Sequence, residues 1–160
     1  MILIDVNLWV YAFNSVDERH VQTKLWLEDI LSSEELVLVP WQNILGFVRQ
    51  ITLPHSRTSL QLSKEIFEEF FGLLNLQNVV IVEPSARFAN FYKDLVLKTQ
   101  AYGNLAPDAY LAALATENGA TLASNDKGFS RFESEGLKWF NPLTVSSIDR
   151  GKRNKKINPT

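Results

Sequence analysis

An α/β fold, with one mostly parallel sheet of four to five strands flanked by helices, is predicted by three observations. Short apolar runs rich in β-branched residues recur along the chain, segments with helical periodicity separate them, and proline or glycine stands where several elements should end. Connections of this length are typical of crossovers between parallel strands, so helices should cover both faces of the sheet. With 160 residues, 46% of them hydrophobic, the chain can bury the core of one domain.

The elements follow one another in an alternating order. The predicted strands are Ile2–Ile4, 36–39, Val79–Val82, Thr121–Ala123 and, as a possible fifth, 137–140. The predicted helices are residues 6–12, 21–31, 59–76, 85–100, 106–118 and the short 127–132. Pro84 can open the helix after the third strand, and Gly119 can close the alanine-rich helix that precedes the fourth.

Charge is distributed unevenly along the chain. Residues 149–160, DRGKRNKKINPT, carry a net charge of +4, which leaves −6 for residues 1–148 within the formal net charge of −2. We therefore expect one folded domain over residues 1–148 and a basic, mobile tail over residues 149–160. Contact between this tail and nucleic-acid phosphate is the alternative, and such contacts would be sensitive to salt.

Composition also excludes several classes of protein. The chain has no cysteine, so disulfide frameworks and thiolate metal sites are excluded and an intracellular setting is favoured. No apolar run approaches the roughly 20 residues that cross a bilayer, and the first residues lack the basic start of a signal peptide. The expectation is a soluble, cytoplasmic protein.

Three aspartates stand where elements of the sheet begin or end. Asp5 follows the first strand, Asp126 follows the fourth, and Asp108 opens the alanine-rich helix. Each could simply cap a helix. Three acids converging on one edge of a small sheet would repel one another, which is tolerable mainly when a divalent cation neutralises them. The sequence therefore predicts a Mg²⁺ site made of oxygen ligands, with Mn²⁺ as a possible substitute.

Four blocks of sequence occur in an order typical of a known family. They are MILIDVN at 1–7, Pro40-Trp41 with Phe47-Val48-Arg49, GNLAPDAYLAALA at 103–115, and SNDKGF at 124–129. Together they resemble the PIN-domain ribonucleases of the VapC toxin type, from residue 1 to about residue 142. The resemblance implies that residues 1–148 form a PIN-like nuclease domain. It implies a Mg²⁺-dependent endoribonuclease, the toxin of a bacterial type II toxin–antitoxin system, inhibited by a VapB-like antitoxin and commonly a homodimer.

Asp5, Asp108 and Asp126 would then be both metal ligands and catalytic residues. The bound cation would activate water for attack on the RNA phosphodiester bond and neutralise charge in the transition state, and the resemblance suggests 5′-phosphate and 3′-hydroxyl products. The polar neighbours that could orient the carboxylates or a water are Asn7, Asn104, Ser124 and Asn125. The basic residues that could contact the RNA backbone are Arg49, Lys127 and Arg131. Turn chemistry and ordinary solvation are the alternatives for both groups. His20 and His55 receive no catalytic role.

One position departs from the family pattern. Where the family usually has a glutamate, just before Phe-Val-Arg, this chain has Gly46, which has no side chain to bind a metal. The alternative to an active nuclease is therefore a catalytically impaired PIN-like RNA-binding module. Glu83, at the end of the third strand, could partly replace the missing acid. A phosphatase of the haloacid-dehalogenase type is disfavoured because Asn7 stands where that class needs a second aspartate.

Overall fold

The computed structural model describes residues 1–53 and 60–144 of the chain. Within those residues, five strands form one sheet: β1 Ile2–Ile4, β2 Val37–Pro40, β3 Val79–Val82, β4 Thr121–Ala123 and β5 Lys138–Phe140. All neighbouring strands are parallel, and their order across the sheet is β3-β2-β1-β4-β5. The predicted α/β class is confirmed, and the possible fifth strand is present.

Six α-helices and two 3₁₀ segments connect these strands in the described part of the chain. The helices are α1 Val6–Phe13, α2 His20–Leu31, α3 Trp41–Thr52, α4 Leu60–Leu73, α5 Phe88–Thr99 and α6 Ala106–Glu117, and the 3₁₀ segments are Gly103–Leu105 and Lys127–Glu135. Helix α3 was expected only from the family resemblance. The predicted helix 127–132 is instead a longer 3₁₀ segment. His55 and the tail at 149–160 lie outside the described residues.

Helices cover both faces of the sheet, as a parallel sheet requires. Because successive residues of a strand point to opposite faces, Leu3 packs with residues of α5 and α6, while Ile4 packs with residues of α1, α3 and α4. Helix α6 is the most deeply packed, with residues 111–115 buried in succession. In residues 1–53 and 60–144, no helix combines the length and apolar character needed to span a membrane.

Strand β1 lies in the middle of the sheet and sets the position of the site. Its last residue, Ile4, pairs in register with Ala123, the last residue of β4. The chains leaving β1 and β4 therefore emerge side by side, and Asp5 N donates a hydrogen bond to the Ala123 carbonyl (2.9 Å). In open α/β sheets, this carboxyl edge is where ligands bind.

A candidate metal centre at the carboxyl edge of the sheet

Asp5 is a buried carboxylate at the junction of β1 and α1. It is only 5% exposed, and it occupies the N-cap position of α1 without making a side-chain capping bond. Its Oδ2 instead accepts hydrogen bonds from Ser124 Oγ (2.7 Å) and Asn7 Nδ2 (2.7 Å). Capping therefore does not explain why the chain buries an acid here.

Ser124 connects the ends of the two central strands. Its hydroxyl donates to Asp5 and accepts from Asn7 Nδ2 (3.2 Å) and from the Asp126 backbone N–H (3.0 Å). A serine hydroxyl has one donor and two acceptor sites, so all three are in use. The Asp5 carboxylate is thereby held in one orientation, and the backbone that carries Asp126 is held beside it.

The other two aspartates reach the same edge from different elements. Asp108 lies half-buried in the first turn of α6. Asp126 is exposed, and its Oδ1 accepts a hydrogen bond from Gly128 N–H (2.7 Å) at the start of the second 3₁₀ segment. Capping is thus a real role for one oxygen of Asp126.

The three carboxylates influence one another electrostatically. The pKa of Asp5 is raised to about 6, chiefly because the side chain is buried, and the charges of Asp108 and Asp126 raise it further against the opposing hydrogen bonds. The pKa of Asp108 is also raised, first by burial and then by the charge of Asp126. Arg131 lowers the pKa of Asp108, which places a positive charge near the same acid. The acids therefore share one electrostatic environment.

This arrangement is looser than the three-ligand nest that the sequence predicts. In the described residues, no three acidic, histidine or cysteine side chains form a group that could hold a metal ion between them. Mg²⁺ does not require such a group, because it keeps several waters and is usually bound through one or two carboxylates. The buried Oδ1 of Asn7, which has no partner among the described residues, is a further oxygen beside Asp5. The donor set fits a hydrated, hard dication.

Close packing explains why position 46 is a glycine, and the sequence alone did not reveal this. A Cβ added to Gly46 would lie 3.1 Å from Val6 Cγ2, closer than ordinary van der Waals contact. The glycine therefore lets α3 approach the start of α1, directly behind Asp5. Glu83 is exposed just after β3, an edge strand. Burial raises the pKa of Tyr110 and the charge of Glu83 raises it further, whereas that charge is not among those acting on Asp5 or Asp108. A role for Glu83 as the missing acid therefore has no support in the described residues.

Two amides in the first turn of α3 were missed by sequence reasoning. Asn43 is 1% exposed, and its Nδ2 donates to the Ile4 carbonyl (2.5 Å), while its Oδ1 has no partner in the described part of the chain. Gln42 Nε2 donates to the Pro107 carbonyl (3.1 Å), next to Asp108. A polar residue in a first helical turn is ordinarily exposed to solvent, so only the packing of α3 against β1 identifies Asn43 as buried.

The remaining orienting candidates do not contact an acid. Asn125 Oδ1 accepts from Asn141 Nδ2 (2.8 Å), which ties the loop after β4 to the turn after β5. Asn104 is exposed in the first 3₁₀ segment. Of the four predicted orienting residues, the structure brings Asn7 and Ser124 into contact with Asp5.

The basic candidates divide between two places. Lys127 and Arg131 are exposed on the 3₁₀ segment that follows Asp126, so both lie at the rim of the site. Arg49 is in the last turn of α3, eight residues from its start, or about 12 Å along the helix axis. It is therefore at the end of α3 that points away from the acids.

Known proteins resemble this chain in sequence and fold. The PIN domain family model matches residues 2–135. Ribonuclease VapC37 of Mycobacterium tuberculosis is 32% identical over 150 residues, covering 89% of this chain and 97% of the relative. FitAcB from Neisseria gonorrhoeae superposes with a TM-score of 0.68 at 21% identity, covering 91% of this chain and 100% of the other. VapBC2 from Rickettsia felis, bound to a promoter DNA fragment, superposes with a TM-score of 0.65 at 20% identity, covering 88% of this chain and 98% of the other. At such identities the structural matches establish the fold alone.

Proposed function

The chain belongs to the PIN-domain family, and we propose that it is a Mg²⁺-dependent endoribonuclease of the VapC type, the toxin of a bacterial type II toxin–antitoxin system. The ribonuclease name of a relative that spans nearly the whole chain supports this reading. The acids at the carboxyl edge of the sheet supply the chemistry that the activity needs.

The observation that carries the proposal is the burial of Asp5 beside two further carboxylates. A buried carboxylate with a raised pKa costs folding free energy at neutral pH, because its charged form is poorly solvated and repelled by its neighbours. The hydrogen bonds that Asp5 accepts from Ser124 and from the Val6 N–H lower its pKa but leave it raised, so they offset only part of this cost. A divalent cation would offset both the burial and the repulsion.

Each residue has a distinct task in this proposal. One or two of the carboxylates of Asp5, Asp108 and Asp126 would hold the cation together with water, and Ser124 and Asn7 would keep the Asp5 carboxylate in one orientation. When bound, the cation supplies positive charge opposite the scissile phosphate and lowers the pKa of a water molecule that attacks phosphorus. Arg131 and Lys127 would contact the neighbouring phosphates. Attack by water that breaks the bond from phosphorus to O3′ would leave a 5′-phosphate and a 3′-hydroxyl, the products that the family resemblance implies.

Histidine chemistry is not needed in this scheme. The Nδ1 of His20 lies 3.1 Å from the carbonyl oxygen of Tyr11, at the end of α1 away from Asp5. No residue of the proposed site is positioned as a nucleophile, which is consistent with attack by water.

The direct test is RNA cleavage by the purified protein, freed of any bound antitoxin. We expect cleavage with Mg²⁺ or Mn²⁺, its loss in EDTA, and a loss of at least ~10²-fold in Asp5→Ala, the effect of removing a key electrostatic contributor. The ends of the products should be 5′-phosphate and 3′-hydroxyl. Cleavage that persists in EDTA, or that leaves 2′,3′-cyclic phosphate, would contradict the proposal.

The second candidate is the impaired RNA-binding module, favoured specifically by Gly46. It predicts RNA binding without metal-dependent cleavage. Restoring the family's acid as Gly46→Glu needs space, so the informative variant carries Val6→Ala as well, because Val6 Cγ2 is the atom that a Cβ at position 46 would approach. A large gain in cleavage by the double variant over Val6→Ala alone would favour this candidate.

A VapB-like antitoxin is the proposed protein partner, and RNA in the cytoplasm the proposed substrate. The solved structure named VapBC2 is described as bound to DNA from its promoter, and this chain shares its fold. Co-expression with the product of a neighbouring short reading frame, followed by size-exclusion chromatography with light scattering, tests both the complex and the proposed homodimer. Elution only as an unbound monomer would contradict both.

A further inference from the structure

We propose that a groove beside Asp126 binds one nucleobase of the RNA substrate, an inference that rests on the proposed ribonuclease function. The groove is open to solvent and has a volume of about 410 Å³, within the range of small-molecule sites in proteins. Its walls include Lys127, Ser130 and Glu133 from the second 3₁₀ segment, and Trp139, Phe140 and Asn141 from β5 and the turn after it.

The groove is fixed in position relative to the acids. One wall begins at Lys127, the residue directly after Asp126. The loop that carries Asp126 is joined to the opposite wall by two hydrogen bonds, from Ser124 N–H to the Phe140 carbonyl (3.1 Å) and from Asn141 Nδ2 to Asn125 Oδ1 (2.8 Å). A nucleotide seated here would therefore lie next to the scissile phosphate.

An aromatic side chain gives the groove its affinity for a base. The partly exposed indole of Trp139 lies on β5, an edge strand of the sheet, whereas the ring of Phe140 points to the opposite face and packs edge-on against Trp26. Every nucleobase has a flat face that can stack on this indole. The indole Nε1 of Trp139 is buried and has no hydrogen-bond partner within residues 1–53 and 60–144. Because this N–H is out of contact with solvent, the base is held by stacking on the exposed part of the ring and not by a hydrogen bond to Nε1.

The charges favour a base in the groove over a phosphate. Lys127 is exposed at the end of the groove nearest Asp126 and suits the backbone phosphate of the bound nucleotide. Glu133 also lines the groove, and its carboxylate would repel a phosphate but can accept hydrogen bonds from base amino groups. The resulting orientation places the base inside and the phosphate toward the acids.

The test follows the four tryptophan indole N–H signals by NMR in EDTA, so that binding is separated from cleavage. The probes are the four nucleoside 5′-monophosphates, and ribose 5-phosphate serves as the baseless control. The signal of Trp139 is assigned by its loss in Trp139→Phe. We expect the nucleotides to shift this signal and ribose 5-phosphate to leave it in place. Equal shifts with the baseless sugar, or nucleotide shifts confined to the other indoles, would overturn the proposal.

A matched pair of serine variants tests the groove without removing a core side chain. Ser130 and Ser134 are both exposed on the same 3₁₀ segment, but Ser130 lines the groove and Ser134 does not. Filling the groove with Ser130→Phe should weaken binding of a fluorescein-labelled RNA dodecamer by about 5- to 150-fold, the contribution of one stacked base, whereas Ser134→Phe should not. Equal effects of the two variants would refute the subsite.

The two proposals fail separately. Metal-dependent cleavage with no nucleotide effect on Trp139 would refute the subsite and leave the ribonuclease standing. Nucleotide binding at Trp139 without any metal-dependent cleavage would refute the proposed ribonuclease activity and support the groove as a nucleotide site. If Ser130→Phe instead weakened only the complex with a co-expressed antitoxin, the groove would belong to a protein interface and the subsite would be wrong.

Discussion

Helices α3 and α6 both begin at the carboxyl edge of the sheet, but they bring different chemistry to it. Helix α6 places Asp108 in its first turn, while α3 places the amides Gln42 and Asn43 there. Close packing constrains α3 one turn further on, because a Cβ at Gly46 would lie 3.1 Å from Val6 Cγ2. The sheet topology gives both helices access to the site, but of the two only α6 brings an acid to it.

The largest expected effect is a loss of RNA cleavage when an acid of the site is removed. Removing an acid elsewhere on the sheet should not have this effect. Asp108→Ala should lower RNA cleavage by at least ~10²-fold, because it removes a carboxylate from the proposed metal centre. Initial rates on one labelled RNA at saturating Mg²⁺ measure this. Glu83→Gln is the matched control and should leave the rate unchanged, since Glu83 acts on neither Asp5 nor Asp108. Similar losses of cleavage in the two variants would contradict a special role for Asp108.

The next effect concerns Asp5, the buried carboxylate at the junction of β1 and α1. Its pKa is about 6 in the folded protein, against an ordinary value of 3.8. Between these values the folded state binds the proton more tightly than the unfolded chain, so the free energy of unfolding of metal-free protein falls as the pH rises. The difference is on the order of 3 kcal/mol and persists above the folded pKa. Urea denaturation in EDTA from pH 4 to 8 measures it.

The control for this pH effect is Asp5→Asn, which keeps the shape of the side chain and removes the charge. Its free energy of unfolding should lack the fall between pH 4 and 6. At pH 7.5, Mg²⁺ should stabilise the natural protein more than the variant, because only the natural protein offers the Asp5 carboxylate as a ligand for the ion. Parallel pH curves for the two proteins would show that Asp5 is not the group responsible.

A smaller effect tests the packing of α3 directly. Gly46→Glu should lower the free energy of unfolding by about 1–3 kcal/mol, because its Cβ overpacks the contact with Val6. In the Val6→Ala background the same substitution should cost less, and a double-mutant cycle measures the coupling. Additive effects of the two changes would mean that the helices move apart freely and that the glycine has no packing role.

The smallest effect concerns the bond that joins the two helices. Gln42→Ala removes the hydrogen bond to the Pro107 carbonyl and should cost about 0.5–1.5 kcal/mol in thermal or chemical unfolding. Gln50→Ala, exposed on the same helix, is the control and should cost less. A similar cost in both variants would show that the contact between α3 and α6 does not depend on Gln42.

Much of the site could be predicted because its aspartates follow elements with strong local patterns. Asp5 comes after an apolar strand and Asp108 opens an alanine-rich helix, so their positions at the edge of the sheet follow from the order of elements. Asn43 could not be predicted, because an asparagine in a first helical turn looks the same in sequence whether it faces solvent or a strand carbonyl. Joint binding of one ion by the three aspartates stays a prediction, because helix starts specify an edge of the sheet and not the distances across it.

The sequence by itself determined the alternation of strands and helices, the parallel sheet, and the three aspartates at its carboxyl edge, since these depend on periodicity and on residues adjacent in the chain. Only the tertiary structure decided that Ser124 would orient Asp5, that Gly46 would lie against Val6, and that Trp139 and Lys127 would line one groove. The residues of each pair are between 12 and 119 positions apart. Strand register and helix packing bring them together, and neither is encoded in any local segment.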